Sequence, residues 1–412
     1  HFRLPAPVEE ALMRTFVSGK TRHQTDRIWA WIAVAALFAA YLAGIWTYDG
    51  GVKESISKIA PGADRIEAGP RQTFTAFQNG IRTGYLAVGQ ADGYGGPLQV
   101  AVRTDKEGTI LDLRVVSHKE TRAFFKRVEG TRFLEKFLKK NFSDQLVPGG
   151  DIDTVTGATY TVQALAEAVR QGSRAVAGEQ LGLELTSPDP VKVQFGVPEG
   201  LLVLLYLAGF AGQRPGFRHK KALRWIMLIT GLFFLGFWYD IPLTLSRINS
   251  FLLGYWPEWQ THLYWYLLVG GILFIFTVDN KNGYCAWFCP FGAAQDCMGA
   301  IGGAEWNLPR RFRRFLLWTQ RVLAWSAIAA ALIFRNPGVS SYEVFGTLFS
   351  FTGSTILFAL LAIILLVSLF VKRPWCRFLC PLDPVFGLIR TARTWLLEKW
   401  RRTRIDPVKS LK

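Results

Sequence analysis

The chain has 412 residues, more than one compact domain usually holds, and half of them are hydrophobic. Its net charge of +17 comes from lysines and arginines that cluster beside long apolar runs. Such clustering is typical of a membrane protein, so nucleic acid is set aside as a partner. All five cysteines lie after residue 284, which argues against a secreted disulfide scaffold.

Six apolar runs predict six membrane spans. The first covers residues 28–48, follows a polar segment at 1–27 and lacks a small-residue cleavage site, so we interpret it as a retained anchor. The other five lie within residues 199–385, at about 199–213, 224–241, 262–278, 315–334 and 353–371. Basic loops alternate with loops poor in lysine and arginine. This alternation predicts that both termini are cytoplasmic, with membrane lipid around the spans.

Residues 50–185 predict a soluble α+β domain outside the membrane. Turn residues separate strands expected at 84–90, 97–104 and 109–117, and helices are expected at 131–140 and 160–176. Residues 186–198 are interpreted as a linker. Residues 386–412 are interpreted as a basic cytoplasmic tail, in which residues 386–404 predict a helix on the membrane surface. The predicted fold class is therefore an α-helical polytopic membrane protein with an extracytoplasmic α+β domain inserted between spans 1 and 2.

A polar, hydroxyl-rich turn beginning at Asp153 runs into an amphipathic helix at Thr159. Exposed backbone N–H groups at a helix start favour an anion such as phosphate. A threonine there is also an ordinary N-cap.

The residues Asp153-x-x-Thr156-Gly157-Ala158-Thr159 resemble the recognition motif for covalent flavinylation. In that motif a flavin transferase esterifies the phosphate of FMN onto the last threonine, so the resemblance implies a phosphoester of FMN on Thr159. Two supporting segments of such FMN-binding domains follow the family's order. They imply FMN contacts from the residues Tyr94, Gly95, Pro97, His118, Glu120 and Thr121.

One cysteine pattern occurs twice, as Cys285-x-x-x-Cys289-Pro and Cys376-x-x-x-Cys380-Pro, at matching cytoplasmic ends of two spans. The spacing places two thiols on one face of a helical turn, and two pairs supply four thiolates for an iron–sulfur cluster, 4Fe–4S or 2Fe–2S. A redox dithiol and a structural zinc site are the alternatives. Cys297 has no counterpart in the second copy and is interpreted as a packing residue.

The pattern Tyr-Cys-x-x-x-Cys-Pro-Phe-Gly-Ala at residues 284–293 resembles the membrane part of the NosR/NirI and PceC/CprC group. These are flavinylated membrane proteins linked to nitrous-oxide respiration and reductive dehalogenation. NosR-type members carry a cytoplasmic ferredoxin domain after the last span, which this sequence lacks. It therefore resembles the shorter PceC-like branch or a truncated chain. The resemblance implies the bacterial cytoplasmic membrane.

Redox centres expected on opposite sides of a bilayer predict electron transfer across it. The hydrocarbon core is about 30 Å thick, so a further carrier or a bound quinone is implied. We expect an electron-transfer component of an oxidoreductase system, moving electrons between a quinol or cytoplasmic donor and an extracytoplasmic redox protein. A membrane redox sensor, or an accessory maturation factor for a respiratory reductase, is the alternative.

Several ionisable residues lie near the span ends. Asp240, Arg247, Glu258 and His262 are expected at the outer side, as quinone-site candidates or, more simply, as interface anchors. Arg321 in the fifth span is expected near the cysteines, where it neutralises a cluster or snorkels to the headgroups.

Overall fold

The computed structural model describes residues 31–46, 56, 58–60, 62–93, 95–120, 122–153, 159–183, 193, 195–214, 216–306 and 308–405. The predicted segment 1–27 and most of the linker 186–198 lie outside these residues. So do five of the predicted FMN-site residues, namely Tyr94, Thr121, Thr156, Gly157 and Ala158.

After helix α1 (Trp31–Trp46), the chain forms a domain with an antiparallel sheet whose strands follow chain order. The strands are β1 Arg65–Ala68, β2 Thr73–Gln78, β3 Ile81–Asp92, β4 Pro97–Thr104 and β5 Ile110–Ser117. The last three coincide with the predicted strands, and β3 begins three residues earlier than expected. The sequence analysis missed β1 and β2. Strand β1 is short and mostly exposed, so it shows no clear alternation of apolar and polar residues.

The helices of this domain differ in part from the prediction. Helix α2 spans Arg122–Gly130, a 3₁₀ turn spans Phe133–Phe137, and helix α3 spans Thr159–Glu179. The continuous helix predicted at 131–140 is wrong, because Arg132 adopts a left-handed backbone conformation (φ 50°) that interrupts helical hydrogen bonding.

Helix α3 packs across β3 and β4 at very close range. A Cβ added to Gly89 would lie 1.9 Å from the carbonyl oxygen of Ala168, so only glycine permits this approach. Gly89 lies against Ala168 and Gly172 in the middle part of the helix, and Val176 nearer its C-terminus shares a small core cluster with Tyr85, four residues earlier in β3. The N-terminus of α3 therefore points to the end of the sheet that carries the β3–β4 hairpin.

The rest of the chain is helical. The helices are α4 Val197–Gln213, α5 Lys220–Thr230 continued by a π-helical segment Gly231–Trp238, α6 Leu245–Leu252, α7 Leu263–Asp279, α8 Gly283–Trp287, α9 Pro290–Gly302, α10 Arg310–Ile333, α11 Phe345–Phe349, α12 Thr355–Ser368, α13 Pro374–Phe378 and α14 Leu382–Ile405. One large core of aromatic and aliphatic side chains joins them. Helix α14 contains the predicted tail helix.

Each of the six apolar runs contains a helix, but the helices differ in length. Among the described residues, two are long and apolar enough to span a membrane, Lys220–Trp238 and Arg310–Ile333. A third span results if α7 and the helical stretch Gly283–Gly302, bent by 97° from one another, count as one. Helices α1, α4 and α12 are apolar but shorter. Two to three candidate spans are therefore present by length and composition.

We expect Gly89→Ala to destabilise the soluble domain by about 1–3 kcal/mol, because the new methyl group must displace the α3 backbone. Pulse proteolysis of the full-length protein across a urea series measures this loss. Gly130→Ala is the control, because a Cβ there meets no atom within 4 Å. Equal stability of the two variants would contradict the close packing.

Candidate functional site

The two cysteine loops share one backbone geometry. Cys285 lies in α8 and Cys376 in α13, while each second cysteine lies just beyond the end of its short helix. The N–H of Cys289 donates to the carbonyl of Tyr284 at 2.9 Å, and that of Cys380 to the carbonyl of Trp375 at 2.8 Å. The expectation of two thiols on one helical face therefore needs correction, since only the first cysteine of each pair is helical.

Each second cysteine lies at the start of the next helix. The N–H groups of Phe291 and Gly292 in α9 donate to the sulfur of Cys289, and the N–H of Leu382 in α14 donates to the sulfur of Cys380. Unpaired N–H groups at a helix N-terminus carry partial positive charge, which favours an anionic sulfur. The second cysteine of each copy therefore lies in the same kind of electrostatic environment, at a helix N-terminus.

The structure brings the four predicted cysteines together. Cys285 hydrogen-bonds to Cys289 and interacts electrostatically with Cys376 and Cys380. All are free thiols, and Cys297 lies apart from them and is half-exposed. Within the described ranges, no three His, Cys, Asp or Glu side chains are arranged around a single metal ion. A cluster of several irons is bulkier than one ion, so its four ligands stand further apart. The donor set fits such a cluster better than zinc.

Two neighbouring residues of α9 connect the first cysteine loop to the second. Gln295, fully buried, donates from Nε2 to the sulfur of Cys376 at 3.1 Å, and its Oε1 accepts from the N–H of Trp375 at 2.9 Å. Asp296 receives two hydrogen bonds from Arg373, each 2.7 Å, and a third from Arg224 at 2.5 Å. These residues fix the position of the second loop relative to the first.

Arg373 and Gln320 complete the support of the loops. The Nη1 of Arg373 donates to the carbonyl of Cys285 at 2.6 Å, although its own backbone is left-handed (φ 49°). Gln320 in α10 is buried and donates to the carbonyl of Cys380 at 2.8 Å. Arg321 beside it is exposed and lies over the ring of Trp318 at 5.5 Å. Gln320, not Arg321, is therefore the residue of this span that contacts the cysteine loops.

The predicted flavin segments lie together at one end of the sheet. Glu120 is buried and its Oε2 accepts from the N–H of Gly95 at 3.3 Å, while Pro97 begins β4. The ring of His118 stacks on Phe125 with centroids 3.7 Å apart, and burial lowers the pKa of His118.

The start of the predicted flavinylation motif follows on the same domain. Asp153 is largely exposed and pairs with Lys136 at 3.4 Å. Thr159 begins α3, whose N-terminus faces the same end of the sheet as the flavin segments. The start of α3 at Thr159 thus lies toward the end of the domain that carries Gly95 and Glu120, whereas the ion pair of Asp153 is with Lys136.

This end of the sheet rests on the helical domain. Ser250 in α6 donates to the carbonyl of Gly95 at 2.8 Å. A Cβ on Gly96 would lie 3.1 Å from the ring of Tyr255, and one on Gly338 would lie 3.1 Å from the carbonyl of Lys119. The backbone of both flavin segments is therefore in close contact with the helices.

A buried polar layer underlies this contact. Arg247 is 1% exposed and lies over the ring of Trp265 at 4.3 Å, so its interpretation as an interface anchor is wrong. The charge of Arg247 acts on His262, just before α7. Burial and the charge of Glu258 raise the pKa of Asp92.

Glu343 caps the start of α6, where its Oε1 accepts from the N–H of Leu245 at 2.7 Å. Burial raises the pKa of Glu343 to about 8. Asp240 lies outside the layer and pairs with the hydroxyl of Ser350.

The sequence analysis overlooked Gln295, Asp296, Gln320 and Glu343. All four are polar residues inside helices or loops with no periodic pattern of their own. The one available signal was the pair Gln295-Asp296, a polar step in an apolar helix one turn after the first Cys-Pro.

Two family models match this chain. The model of the FMN-binding domain matches residues 93–173, and that of a 4Fe-4S binding domain matches residues 261–309 and 354–403. Both cysteine pairs lie within the second match. The chain therefore carries an FMN-binding domain and a 4Fe-4S binding domain.

Several characterised proteins are homologous to the chain. The regulatory protein NosR of Stutzerimonas stutzeri is 26% identical over 217 residues, which is 49% of this chain and 29% of NosR. Protein NirI of Paracoccus denitrificans is 28% identical over 173 residues, 38% of this chain and 24% of NirI. One component of the ion-translocating oxidoreductase complex of Vibrio vulnificus is 33% identical over 125 residues, 28% of this chain and 57% of that component.

The chain spans between about a quarter and three-fifths of the length of these relatives. The predicted resemblance to the NosR/NirI group is confirmed. Together with the apolar helices, these homologies identify a membrane protein.

We expect Asp296→Asn to destabilise the cysteine loops by about 3 kcal/mol, because two guanidinium groups lose their charged partner. Iron content per chain and the Tm from tryptophan fluorescence should both fall. Asp279→Asn is the matched control, because Asp279 forms no ion pair within the described ranges. An unchanged iron content in Asp296→Asn would contradict this role.

Proposed function

We propose that the protein is a membrane electron-transfer flavoprotein, with covalent FMN outside the cell and an iron–sulfur cluster near the cytoplasm. The observation that supports this most directly is that one chain matches both an FMN-binding domain and a 4Fe-4S binding domain. Helix α6 connects the two sites. Ser250 near its end donates to the carbonyl of Gly95, and the N–H of Leu243 just before its start donates to the hydroxyl of Tyr284, next to Cys285.

The cluster ligands in this proposal are Cys285, Cys289, Cys376 and Cys380. The match to a 4Fe-4S binding domain favours four irons over two. Such a cluster exchanges one electron at a time. Gln295, Arg373 and the helix N-termini at Phe291 and Leu382 surround the sulfurs with donors and positive charge, which stabilises an anionic group in a buried place.

The proposed FMN attachment is a phosphoester on Thr159. The residues proposed to contact FMN are Asp153, Gly95, Pro97, His118 and Glu120, with the motif residues that lie outside the described ranges. FMN exchanges one or two electrons and so connects one-electron and two-electron partners. A covalent tether suits an extracytoplasmic site, where lost FMN is not readily replaced.

The proposed topology has six spans, both termini in the cytoplasm and the domain at residues 50–185 outside. The shorter helices α1, α4 and α12 are apolar enough to contribute spans if their flanks extend them. A further carrier between the two sites is part of the proposal. A quinone is the proposed carrier, and the polar layer around Arg247 and Glu343 is the nearest candidate for it.

A redox sensor is the second candidate function, because NosR is named a regulatory protein. The two functions differ in turnover. Stopped-flow mixing with a reduced donor and an external acceptor should show repeated flavin cycling if the protein transfers electrons. A flavin that changes state once and stays there favours the sensor.

We expect Thr159→Ala to abolish covalent FMN completely, because alanine has no hydroxyl to form the ester. Intact mass of the denatured protein and in-gel flavin fluorescence measure the loss. Thr161→Val, two residues further along α3, removes a hydroxyl without touching the motif and should keep the flavin. Fluorescence that persists in Thr159→Ala would refute the attachment site.

We expect Cys380→Ser to remove most of the protein-bound iron and sulfide, because serine is a poor ligand for a soft iron–sulfur centre. Cys297→Ser is the matched control, since Cys297 lies apart from the other four thiols. Iron and sulfide assays with EPR of the reduced protein measure both variants. Iron and sulfide that stay unchanged in Cys380→Ser would overturn the ligand assignment, whereas Cys297→Ser should keep both.

A further inference from the structure

A large cleft leads from the surface to the cysteines. It has a volume of about 1270 Å³, and Cys285 and Cys376, one from each pair, lie in its wall. The second cysteine of each pair is buried behind them. The cleft therefore gives outside molecules a direct approach to the candidate cluster site.

The wall of the cleft is strongly basic. Six cationic side chains line it, from Arg224, Arg310, Arg313, Lys372, Arg373 and Arg377. Two acidic residues, Asp296 and Asp383, lie in the same wall. Asp296 forms ion pairs with Arg224 and Arg373. The wall therefore has four further cations and one further carboxyl, that of Asp383.

These four cations point outward. Arg310, Arg313, Lys372 and Arg377 are all exposed, and none forms an ion pair with a residue that the structure describes. Exposed cations around a concave opening raise the local concentration of anionic partners and speed their association. A neutral quinol gains nothing from such a ring. The charge pattern fits an acidic macromolecule.

We propose that this cleft docks a small acidic one-electron carrier protein. The inference rests on the proposed function, because it takes the cysteines to hold the redox centre that the carrier meets. The carrier loses one electron and the centre gains it, with no bond formed or broken. Redox encounters of this kind use small interfaces, below about 1,200 Å², in which charge complementarity supplies specificity and association rate.

Helix α10 offers a matched pair of variants. Arg310 and Arg313 line the cleft, whereas Arg311 and Arg314 are equally exposed on the same turn and do not. Both double variants, R310Q/R313Q and R311Q/R314Q, remove two exposed positive charges from the first residues of the same helix. Contact with anionic lipid headgroups would involve both pairs alike. Docking in the cleft involves only the first.

The test measures binding of oxidised plant-type 2Fe–2S ferredoxin to the full-length protein in phosphatidylcholine nanodiscs, which carry no net lipid charge. We expect saturable binding at low salt that weakens steeply as salt is added. R310Q/R313Q should raise the Kd about tenfold, and R311Q/R314Q should leave it within about twofold. Cytochrome c, a basic carrier, should not bind.

Two results would overturn the docking proposal. One is an equal loss of affinity in both double variants, which indicates bulk charge. The other is the absence of saturable ferredoxin binding in the unaltered protein, together with flavin reduction by a quinol that is equally fast in both variants.

Reduction by photoreduced deazariboflavin, a small reductant that needs no docking site, separates this outcome from failure of the proposed function. If the cluster is reduced by deazariboflavin but no ferredoxin binds, only the docking proposal fails. If iron is absent and no cluster signal appears, the proposed function fails independently of the binding result.

Discussion

The candidate cluster site depends on one contact between its two halves, made by Gln295 and Asp296. The two cysteine loops are far apart in the chain and each is a short turn that has little stability alone. Asp296 binds Arg373 of the second loop, and Arg373 binds the carbonyl of Cys285 in the first. Gln295 adds bonds to the backbone of Trp375 and the sulfur of Cys376. These bonds lie in a mostly buried place, where each lost partner leaves a costly polar group.

A second constraint fixes the flavin end. Gly89 lets α3 lie directly on the sheet, which sets where its N-terminus and Thr159 stand. The hairpin at Gly95 and the segment at Glu120 share that end and rest on Ser250 and the loop at Gly338. The domain is therefore held by backbone contacts rather than by exposed ion pairs, which are individually weak. Small residues at these positions permit the close approach.

Sequence reasoning found what repeats or alternates. The duplicated cysteine pattern, the strands between clear turns and the six apolar runs all emerged, because each carries a local signal. The prediction of a helix at 131–140 was wrong because Arg132 adopts a left-handed backbone conformation, and no local pattern in the sequence indicates that conformation. Gln295, Gln320 and Glu343 were missed for a related reason. Their roles come from partners about 60 to 100 residues away in the chain, which no local pattern shows.

The two ends of the helical domain use arginine in opposite ways, and burial makes the difference. At the flavin end, Arg247 is buried and lies over Trp265. Its charge therefore acts on groups inside the protein, namely Asp92 and His262. At the cysteine end, Arg310 and Arg313 remain exposed around an open cleft. Charge counting treats these residues alike, as topology signals. Their surroundings instead fit a closed polar layer beneath the flavin domain and an open basic mouth beside the cysteines, which suits a protein whose two ends meet different partners.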